Sequence, residues 1–213
     1  MNHLKNEQGN AAFYLIWILG ISAVIFVLVV NIAKVYLVKE QAATATQQAA
    51  FAGTVVLLEA TQKGIESFDS DLTKSAAQKV LDGGKTIQEQ IDEKVEELRG
   101  QGEDLQLAYI KAYNSILPKK LDKHPQFKKE MEETFQDSGL SGRLFSAVQS
   151  TILANEANPE GVEVVLSDTK WRVEVKADAT FDTVTDGTYV KSFTSKIPQK
   201  GYGPSLEYVK FIY

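Results

Sequence analysis

Histidine side chains are the first candidates for catalysis or metal binding, because imidazole titrates near neutral pH and is the commonest metal ligand. The chain has only two, His3 and His124, and it has no cysteine. Neither histidine has a His, Asp or Glu partner at zinc-ligand spacing. A Ser–His–Asp triad would have to recruit His124 from a lysine-rich turn, and no Gly-x-Ser-x-Gly turn supports one. We expect His124 to be a solvated residue at the start of a helix.

Two other motifs partly match ligand-binding loops. Asp69-Ser-Asp71 begins like a calcium loop, but Thr73 occupies the third ligand position, and the glycine and glutamate of such loops are missing. An N-cap for the following helix explains it better. Gly83-Gly84-Lys85-Thr86 ends like a phosphate loop, yet Lys79 stands where that motif has its first glycine. We interpret it as a break between helices.

The acidic residues Glu130, Glu132 and Glu133 lie beside Lys128 and Lys129. Such interleaving is typical of a solvated helix face rather than a metal site. The absence of cysteine also excludes disulfides, iron–sulfur clusters and thiol catalysis. The sequence therefore predicts no catalytic residue, no cofactor site and no metal site, and we expect a protein that is not an enzyme.

A long apolar segment dominates the start of the chain. Ala11 to Val30 contains no charge, and its only small breaks are Gly20 and Ser22. About twenty helical residues cross a hydrocarbon core of about 30 Å, so the segment predicts a membrane span. A cleaved secretory signal is the alternative, but its apolar region is shorter, at about 7–15 residues, and ends in small residues. Here the segment continues into Asn31-Ile-Ala-Lys34, which favours a retained anchor.

Charge gives limited information about surroundings. The net charge of −5 argues against nucleic-acid binding, which requires a basic face. Lys5 precedes the span while Lys34 and Lys39 follow it. This count slightly favours an inside C-terminus, but long domains cross largely regardless of so small a bias. Charge alone leaves the orientation open.

The span is followed by an Ala- and Gln-rich segment. It carries no charge between Glu40 and Glu59, and six alanines between Ala42 and Ala52 favour helix. With no proline before Pro118, one helix is expected from about residue 11 to residue 60, about 75 Å long. Its small residues would allow close packing, either on the chain's own domain or on other subunits.

Apolar residues at helical spacing then predict four amphipathic helices. Thr86 and Glu89 form a capping box before the first, and the second is expected to stop before Pro118. Their apolar faces are Ile87, Ile91, Val95 and Leu98; Leu105, Ala108, Tyr109, Ala112 and Ile116; Phe127, Met131 and Phe135; and Leu140, Leu144, Val148 and Ile152.

Near residue 162 the spacing of apolar residues changes from helical to alternating. In WRVEVKADATF, apolar residues occupy every second position from Trp171 to Phe181, which predicts a half-buried strand. VEVVLS precedes it across Asp168-Thr169, so we expect a hairpin. A turn at 185–187 and strands at TYVKSFT and LEYVKFIY, separated by PQKGYGP, complete the prediction.

Together these patterns predict an α+β fold. A single N-terminal transmembrane helix extends into a long helix, followed by amphipathic helices and a small C-terminal antiparallel β-sheet. The expected segments are a tail (1–10), the span (11–33), the Ala/Gln-rich extension (34–60), a helical region (61–160) and a β-rich region packed on the helices (161–213).

The segment EQGNAAFYLIWILGISAVIFVLVVNIAKVYLVKEQAATATQQAAFAG resembles the amino-terminal segment of TadE/TadG-like proteins of Flp-type (Tad) pilus assembly. In that family a short tail ends in glycine, a span follows, and an aspartate precedes a Tyr-containing turn and a Gln/Ala-rich helix. Gly9, Asn31, Tyr36 and the stretch 47–52 stand in those places. Asn31 departs from the family's usual Asp. The resemblance covers about a fifth of the chain.

The resemblance implies a place and partners. It implies a single-pass protein of the cytoplasmic membrane with an extracytoplasmic body, whose partners are membrane lipid and other pilus or secretion-machinery subunits. It also implies homo- or hetero-oligomers through the N-terminal helix. Cleavage by a prepilin peptidase would fall between Gly9 and Asn10, although Tyr14 occupies the position where the substrates of that peptidase tend to have Glu.

Two functions from different classes remain open. The first is a non-enzymatic, membrane-anchored pilus-assembly or pseudopilin-like component. The second is a signal-anchored extracytoplasmic binding module unrelated to pili, with a pocket that uses Trp171, Tyr202 and Tyr208; packing is the simpler role for these aromatics. A hydrolase is a distant third.

Overall fold

A computed structural model describes residues 7–182 and 194–213 and confirms the α+β fold. Over these residues a long N-terminal helix is followed by five shorter helices, three antiparallel strands and a short 3-10 helix. Their bounds are α1 (Glu7–Ser70), α2 (Leu72–Leu81), α3 (Ile87–Gly100), α4 (Leu105–Lys123), α5 (Pro125–Phe135), α6 (Ser138–Ala154), β1 (Asn158–Leu166), β2 (Val173–Asp182), β3 (Thr194–Tyr202) and the 3-10 helix (Glu207–Phe211).

The long helix α1 runs further than expected, without interruption from Glu7 to Ser70. Its 64 residues give a rod of about 96 Å. Three threonines lie on its buried face, at Thr46, Thr54 and Thr61. Each hydroxyl donates a hydrogen bond to the carbonyl four residues earlier, at 2.8–2.9 Å. The helix itself therefore satisfies these polar groups, so they can be buried.

The sheet has the order β1-β2-β3, with every pair antiparallel. Val173, Val175 and Ala177 alternate along β2 and are buried. This confirms the predicted half-buried strand and its hairpin with β1. β1 begins at Asn158, and a register shift follows it, where Gly161 adopts a φ of +78°.

The core is built around the second half of α1, which packs against β2, β3, α5 and α6. Small residues let the sheet approach closely. A Cβ on Gly201 would lie 2.0 Å from the carbonyl oxygen of Thr46. Gln47 completes the contact, because its amide donates to the carbonyl of Tyr202 (2.6 Å) and accepts from the amide of Tyr202 (3.2 Å). The alanine-rich face of α1 is therefore buried within the chain's own domain.

The caps of the shorter helices follow their sequences. The capping box of Thr86 and Glu89 is present at the start of α3. Asp71 is the N-cap of α2 and accepts hydrogen bonds from the amides of Thr73 and Lys74. Gly83 and Gly84 adopt positive φ in the turn between the two helices. These predictions are confirmed.

Three features of the predicted secondary structure are wrong. Helix α4 does not stop before Pro118 but continues to Lys123. PQKGYGP does not separate two strands; most of it lies within β3, which tolerates Pro198 because β3 is an edge strand. LEYVKFIY forms the 3-10 helix rather than a strand. The turn at 185–187 and most of TYVKSFT lie outside the described residues.

Candidate functional site

The first half of α1 buries none of its side chains against the rest of the described chain. Every residue from 11 to 41 is exposed or half-buried, and the first buried position is Ala42. The most apolar window of the helix has a mean hydropathy of 2.8, and none of it is buried. The helix is therefore long and apolar enough to cross a membrane.

Asn31 lies near the end of this apolar stretch. Its side-chain amide donates a hydrogen bond to the carbonyl of Val27 at 3.0 Å. An ionised aspartate, which the resemblance would place here, has no proton to donate. The asparagine side chain therefore forms its hydrogen bond with the backbone of its own helix and adds no charge to the apolar stretch.

The predicted processing site falls inside a helix. Gly9 and Asn10 both belong to α1, which begins at Glu7. Nothing in this geometry tests cleavage, so the site stays a prediction.

A groove of about 400 Å³ opens beside the second half of α1. Phe51, Val55 and Leu58 of α1 form one apolar wall, and Leu107 and Ile110 of α4 form the other. Phe51 is 50% exposed and Val55 is 41% exposed, so these side chains are not used by the core. Exposed apolar side chains of two helices therefore face one concavity.

Tyr208 of the 3-10 helix lies between α1 and α4 beneath this groove. It is fully buried, its hydroxyl is 2.6 Å from the hydroxyl of Thr61, and its ring meets the ring of Tyr113 edge-on at 6.0 Å. Burial raises the pKa of Tyr208 far above its ordinary value. The phenol therefore stays neutral and acts as a spacer between the two helices.

The rim of the groove is acidic. Glu59 and Asp104 line it, and none of the lining residues is Lys, Arg or His. Asp104 also caps α4 by accepting from the amide of Gln106 at 2.9 Å. An apolar floor with an acidic rim suits an apolar group carried beside a cation.

Sequence reasoning did not identify this groove. One signal could have found it: residues 49–58 are apolar on all sides of the helix except for Thr54. A helix that packs one face on a core needs only one apolar stripe. The second stripe, with Phe51 and Val55, was available for another contact.

His124 is not the solvated residue that we expected. It does stand at the start of α5, but its side chain is only 7% exposed. Its Nε2 lies 3.6 Å from an Asp82 carboxylate oxygen, and Lys120 Nζ lies 2.7 Å from the same oxygen. Since α4 and α5 meet at His124, their packing on the end of α2 buries it.

Burial and neighbouring groups have opposite effects on the pKa values of Asp82 and His124. Burial raises the pKa of Asp82, but hydrogen bonds from Lys120, Gln78 and Gln90 outweigh burial and leave the pKa below its ordinary value. Burial lowers the pKa of His124, against the attraction of Asp82. A half-buried carboxylate with a paired lysine and a neutral imidazole is a structural junction. No hydroxyl within hydrogen-bonding distance of His124 Nε2 is present among the described residues to act as a nucleophile.

The other candidate motifs also have structural roles. Asp69 accepts from the backbone amides of Ile87 and Gln88 at 3.2 and 2.9 Å, which ties the end of α1 to the start of α3. Glu130 accepts from Ser67 and Lys74 at 2.6 and 2.7 Å. Its side chain is therefore part of the α1–α2–α5 contact rather than of a solvated face.

Tyr202 and Tyr208, two of the three aromatic residues of the predicted pocket, have different surroundings. Tyr208 is buried, whereas Tyr202 is partly exposed and stacks under the guanidinium of Arg172, 4.1 Å from the ring centre. Of the three, none lines the groove beside α1. Within residues 7–182 and 194–213, no group of three or more His, Asp or Glu side chains is arranged to hold a metal ion.

Comparison with known proteins finds no similar chain: no protein-family model, no curated protein and no solved structure matches. The described residues present two uncovered apolar surfaces, the exposed half of α1 and the acidic-rimmed groove.

Proposed function

We propose that this chain is a membrane-anchored, non-enzymatic subunit of a pilus-assembly or related secretion apparatus. Its single N-terminal helix lies in the cytoplasmic membrane, and its α+β body lies outside the cytoplasm. The observation that carries the proposal is α1 itself, one unbroken helix whose first half is apolar and uncovered and whose second half is the centre of the core.

The free energy of hydration requires the first half to be covered. About twenty apolar residues left in water cost tens of kcal/mol, at about 1.5–3 kcal/mol for each large side chain. Lipid can cover them in a single subunit, and the helices of neighbouring subunits can cover the same surface after assembly. The apolar half of α1 can therefore stay covered both in a single membrane-anchored subunit and in the assembled one, without a change of fold.

The side of the membrane and the link to pili depend on the resemblance of residues 7–53 to TadE/TadG-like proteins. The body adds support of a different kind. Its titratable clusters act as helix caps and ion pairs, which supports a structural role for the body. A structural subunit must contact its neighbours, and the two uncovered apolar surfaces of this chain are available for such contacts.

Protease treatment of intact cells tests the location. Mass spectrometry should find fragments of residues 61–213 released, and the membrane should retain a fragment that contains residues 11–33. The remaining amino terminus also shows whether the chain is cut after Gly9. A body that resists protease in intact cells but is digested in lysed cells would contradict an extracytoplasmic position.

Pull-down from the membrane fraction tests the assembly. Other pilus or secretion-machinery subunits should be recovered with the full chain. The groove of about 400 Å³ favours a second candidate function, a membrane-anchored module that binds an apolar ligand. Recovery of the chain without such subunits, together with a bound small molecule, would favour the second candidate.

A further inference from the structure

We propose that one end of the β-sheet rests in the phospholipid headgroup layer, where Lys196 of β3 contacts lipid phosphate. This end, called the lower end of the sheet, is where β2 finishes at Asp182 and β3 begins at Thr194. The contact goes beyond the proposed function and rests on one part of it, the membrane span in α1.

The strand β3 runs alongside α1 in the same direction. A Cβ on Gly201 would meet the backbone of Thr46, and a Cβ on Gly203, just after β3, would meet the side chain of Thr54. Later residues of the strand therefore lie beside later turns of α1. Earlier residues of β3 lie beside earlier turns, toward the apolar half of the helix.

The neighbouring strand β2 runs the opposite way along α1. Its first residue, Val173, lies against Gly53. The side-chain amide of Gln41 donates to the C-cap carbonyl of α6 at 3.2 Å, and Asn158, shortly after that cap, pairs with Asp178 of β2. Asp178 is therefore near the level of Gln41, and the remainder of β2 points toward the apolar half of α1.

The length of the strands brings their lower end to the edge of the span. β3 begins seven residues before Gly201, and seven extended residues cover about 23 Å. About fifteen residues of α1 cover the same distance, so Thr194 falls near the level of residue 31. Lys196 falls near the level of residue 35, about 3 Å beyond the expected span (11–33). The headgroup layer adds about 5–8 Å on each side of the hydrocarbon core, so Lys196 lies within it.

The exposure of α1 supports this reach. Asn31, Lys34 and Val38 are half-buried, and they continue the buried stripe of Ala42 and Ala45 at spacings of three or four residues. Residues on the other sides of the same turns are exposed: Ile32, Tyr36 and Leu37. The body therefore extends along one side of α1 almost to the apolar segment, instead of standing on a bare stalk.

The chemistry of the lower end suits lipid phosphate. Lys196 is the register partner of Thr180, and both are exposed. Because Val175 and Ala177 of β2 are buried, the alternation of the strand places Thr180 and Lys196 on the outer face of the sheet. Lys196 has no ion pair among the described residues, and its long side chain can direct the ammonium group to a phosphate. Tyr36, at the same level on α1, is of a type enriched at membrane interfaces.

A second contact with the membrane would restrict how the rod sits. A single span can tilt and rotate about its axis, and interfacial lysines and aromatic residues limit both motions. The lower end of the sheet lies on one side of α1 only. It therefore defines which side of the helix faces down when the rod tilts.

Fluorescence quenching in vesicles tests the position, since the natural chain has no cysteine and can be labelled at one introduced thiol. The full chain carrying Thr180→Cys and an environment-sensitive fluorophore is placed in an equal mixture of phosphatidylcholine and phosphatidylglycerol. Thr169→Cys is the matched control, because Thr169 is also exposed but lies in the turn before β2, at the other end of the sheet.

A nitroxide on the lipid headgroup should quench the Thr180 probe at least about threefold more than the Thr169 probe, because their heights differ by more than about 20 Å. Equal quenching of the two probes would overturn the proposal. Stronger quenching of the Thr180 probe by a nitroxide at the centre of the acyl chains would also overturn it, because the lower end would then lie in the hydrocarbon core.

Charge reversal tests the phosphate contact. In the Thr180→Cys background, Lys196→Glu should lower headgroup quenching about twofold, because a carboxylate is repelled by lipid phosphate. Lys170→Glu makes the same charge change at an exposed position beside Thr169 and should have no effect. Equal effects of the two substitutions, or no effect of Lys196→Glu, would contradict the role of Lys196.

Flotation of the same vesicles separates this contact from the proposed function. If the chain floats with the lipid after alkaline extraction but the Thr180 probe is not quenched, the sheet contact fails and the proposed function stands. If the chain does not float, residues 11–33 do not anchor it, and both proposals fail.

Discussion

At the scale of single residues, the polar side chains of this chain act mainly on neighbouring helices. Asp69 accepts from the first amides of α3, and Glu130 joins α5 to α1 and α2. Asp82, Lys120 and His124 form the junction of α2, α4 and α5. Some of these residues lie in sequence motifs that resemble ligand-binding loops. In the structure, however, their hydrogen-bond and ion-pair partners come from distant positions in the chain.

The junction predicts a pH dependence of stability. Burial holds the pKa of folded His124 below its ordinary value of 6.5, so the unfolded chain takes up this proton first. Stability from the neutral imidazole is therefore present above pH 6.5 and is lost as pH falls from there toward the folded pKa. The contribution of Asp82 is present above its ordinary pKa of 3.8 and is lost only below it.

We expect the urea midpoint of the full chain in mild detergent to fall between pH 7.5 and pH 5.5. His124→Gln should reduce that fall, because it removes the group that titrates in this window. Asp82 remains ionised over the same range, because its pKa lies below 3.8, and it serves as the internal control. An unchanged pH profile in the variant would show that His124 does not couple protonation to folding.

At the scale of secondary-structure elements, the contact between α1 and β3 fixes the body. The backbone of Gly201 lies directly against the backbone of Thr46 and Gln47. The Gln47 amide also pairs with Tyr202 on the same edge strand. The sheet can approach α1 this closely only because position 201 has no side chain.

Gly201→Ala should therefore be severely destabilising. The added Cβ would lie 2.0 Å from a backbone oxygen, and neither backbone can move without breaking the sheet or the helix. We expect a loss of about 3 kcal/mol or more in the free energy of unfolding, at the upper end of overpacking effects. Urea titration followed by circular dichroism measures it.

Gly142→Ala is the matched control, because a Cβ at this position in α6 meets nothing within 4 Å. Alanine in a helix interior is expected to stabilise by about 0.5–1 kcal/mol. Equal effects of the two substitutions would contradict the close approach of β3 to α1.

Local patterns predicted most of the elements but not their ends. The capping box and the spacing of Ile87, Ile91 and Val95 identified α3, because both signals are local. The 3-10 helix was missed. Val209 within it and the two flanking cap residues, Leu206 and Ile212, are buried and recur every third residue, which fits 3-10 geometry better than alternation does.

The candidate groove could not be predicted as a site, because its two walls are about fifty residues apart in sequence. Only the excess of apolar residues around α1 hinted at it. The position of Pro198 shows the same limit: proline indicates a loop, yet an edge strand accepts it, and edge status depends on the whole sheet.

At the scale of the whole molecule, α1 divides the chain into an uncovered half and a packed half. Membrane retention should depend on the first half alone. Leu19→Lys combined with Phe26→Lys places two charges in the apolar segment, and each costs about 2.5–3.5 kcal/mol at the centre of a span. We expect the double variant to leave the membrane pellet after alkaline carbonate extraction.

Leu72→Lys combined with Val80→Lys is the control, because both residues are exposed on α2 in the body. It adds the same charge and should remain in the pellet. Retention of the first variant to the same extent as the control would show that residues 11–33 do not anchor the chain.

The continuity of α1 also has a mechanical consequence. The described helix has no proline and no break across 64 residues, and it enters the centre of the body directly. A pulling force on its base therefore travels along the backbone into the interior, with no hinge to absorb it. A pull on the N-terminal end of α1 therefore translates the entire body, and the tilt of α1 sets the orientation of that body.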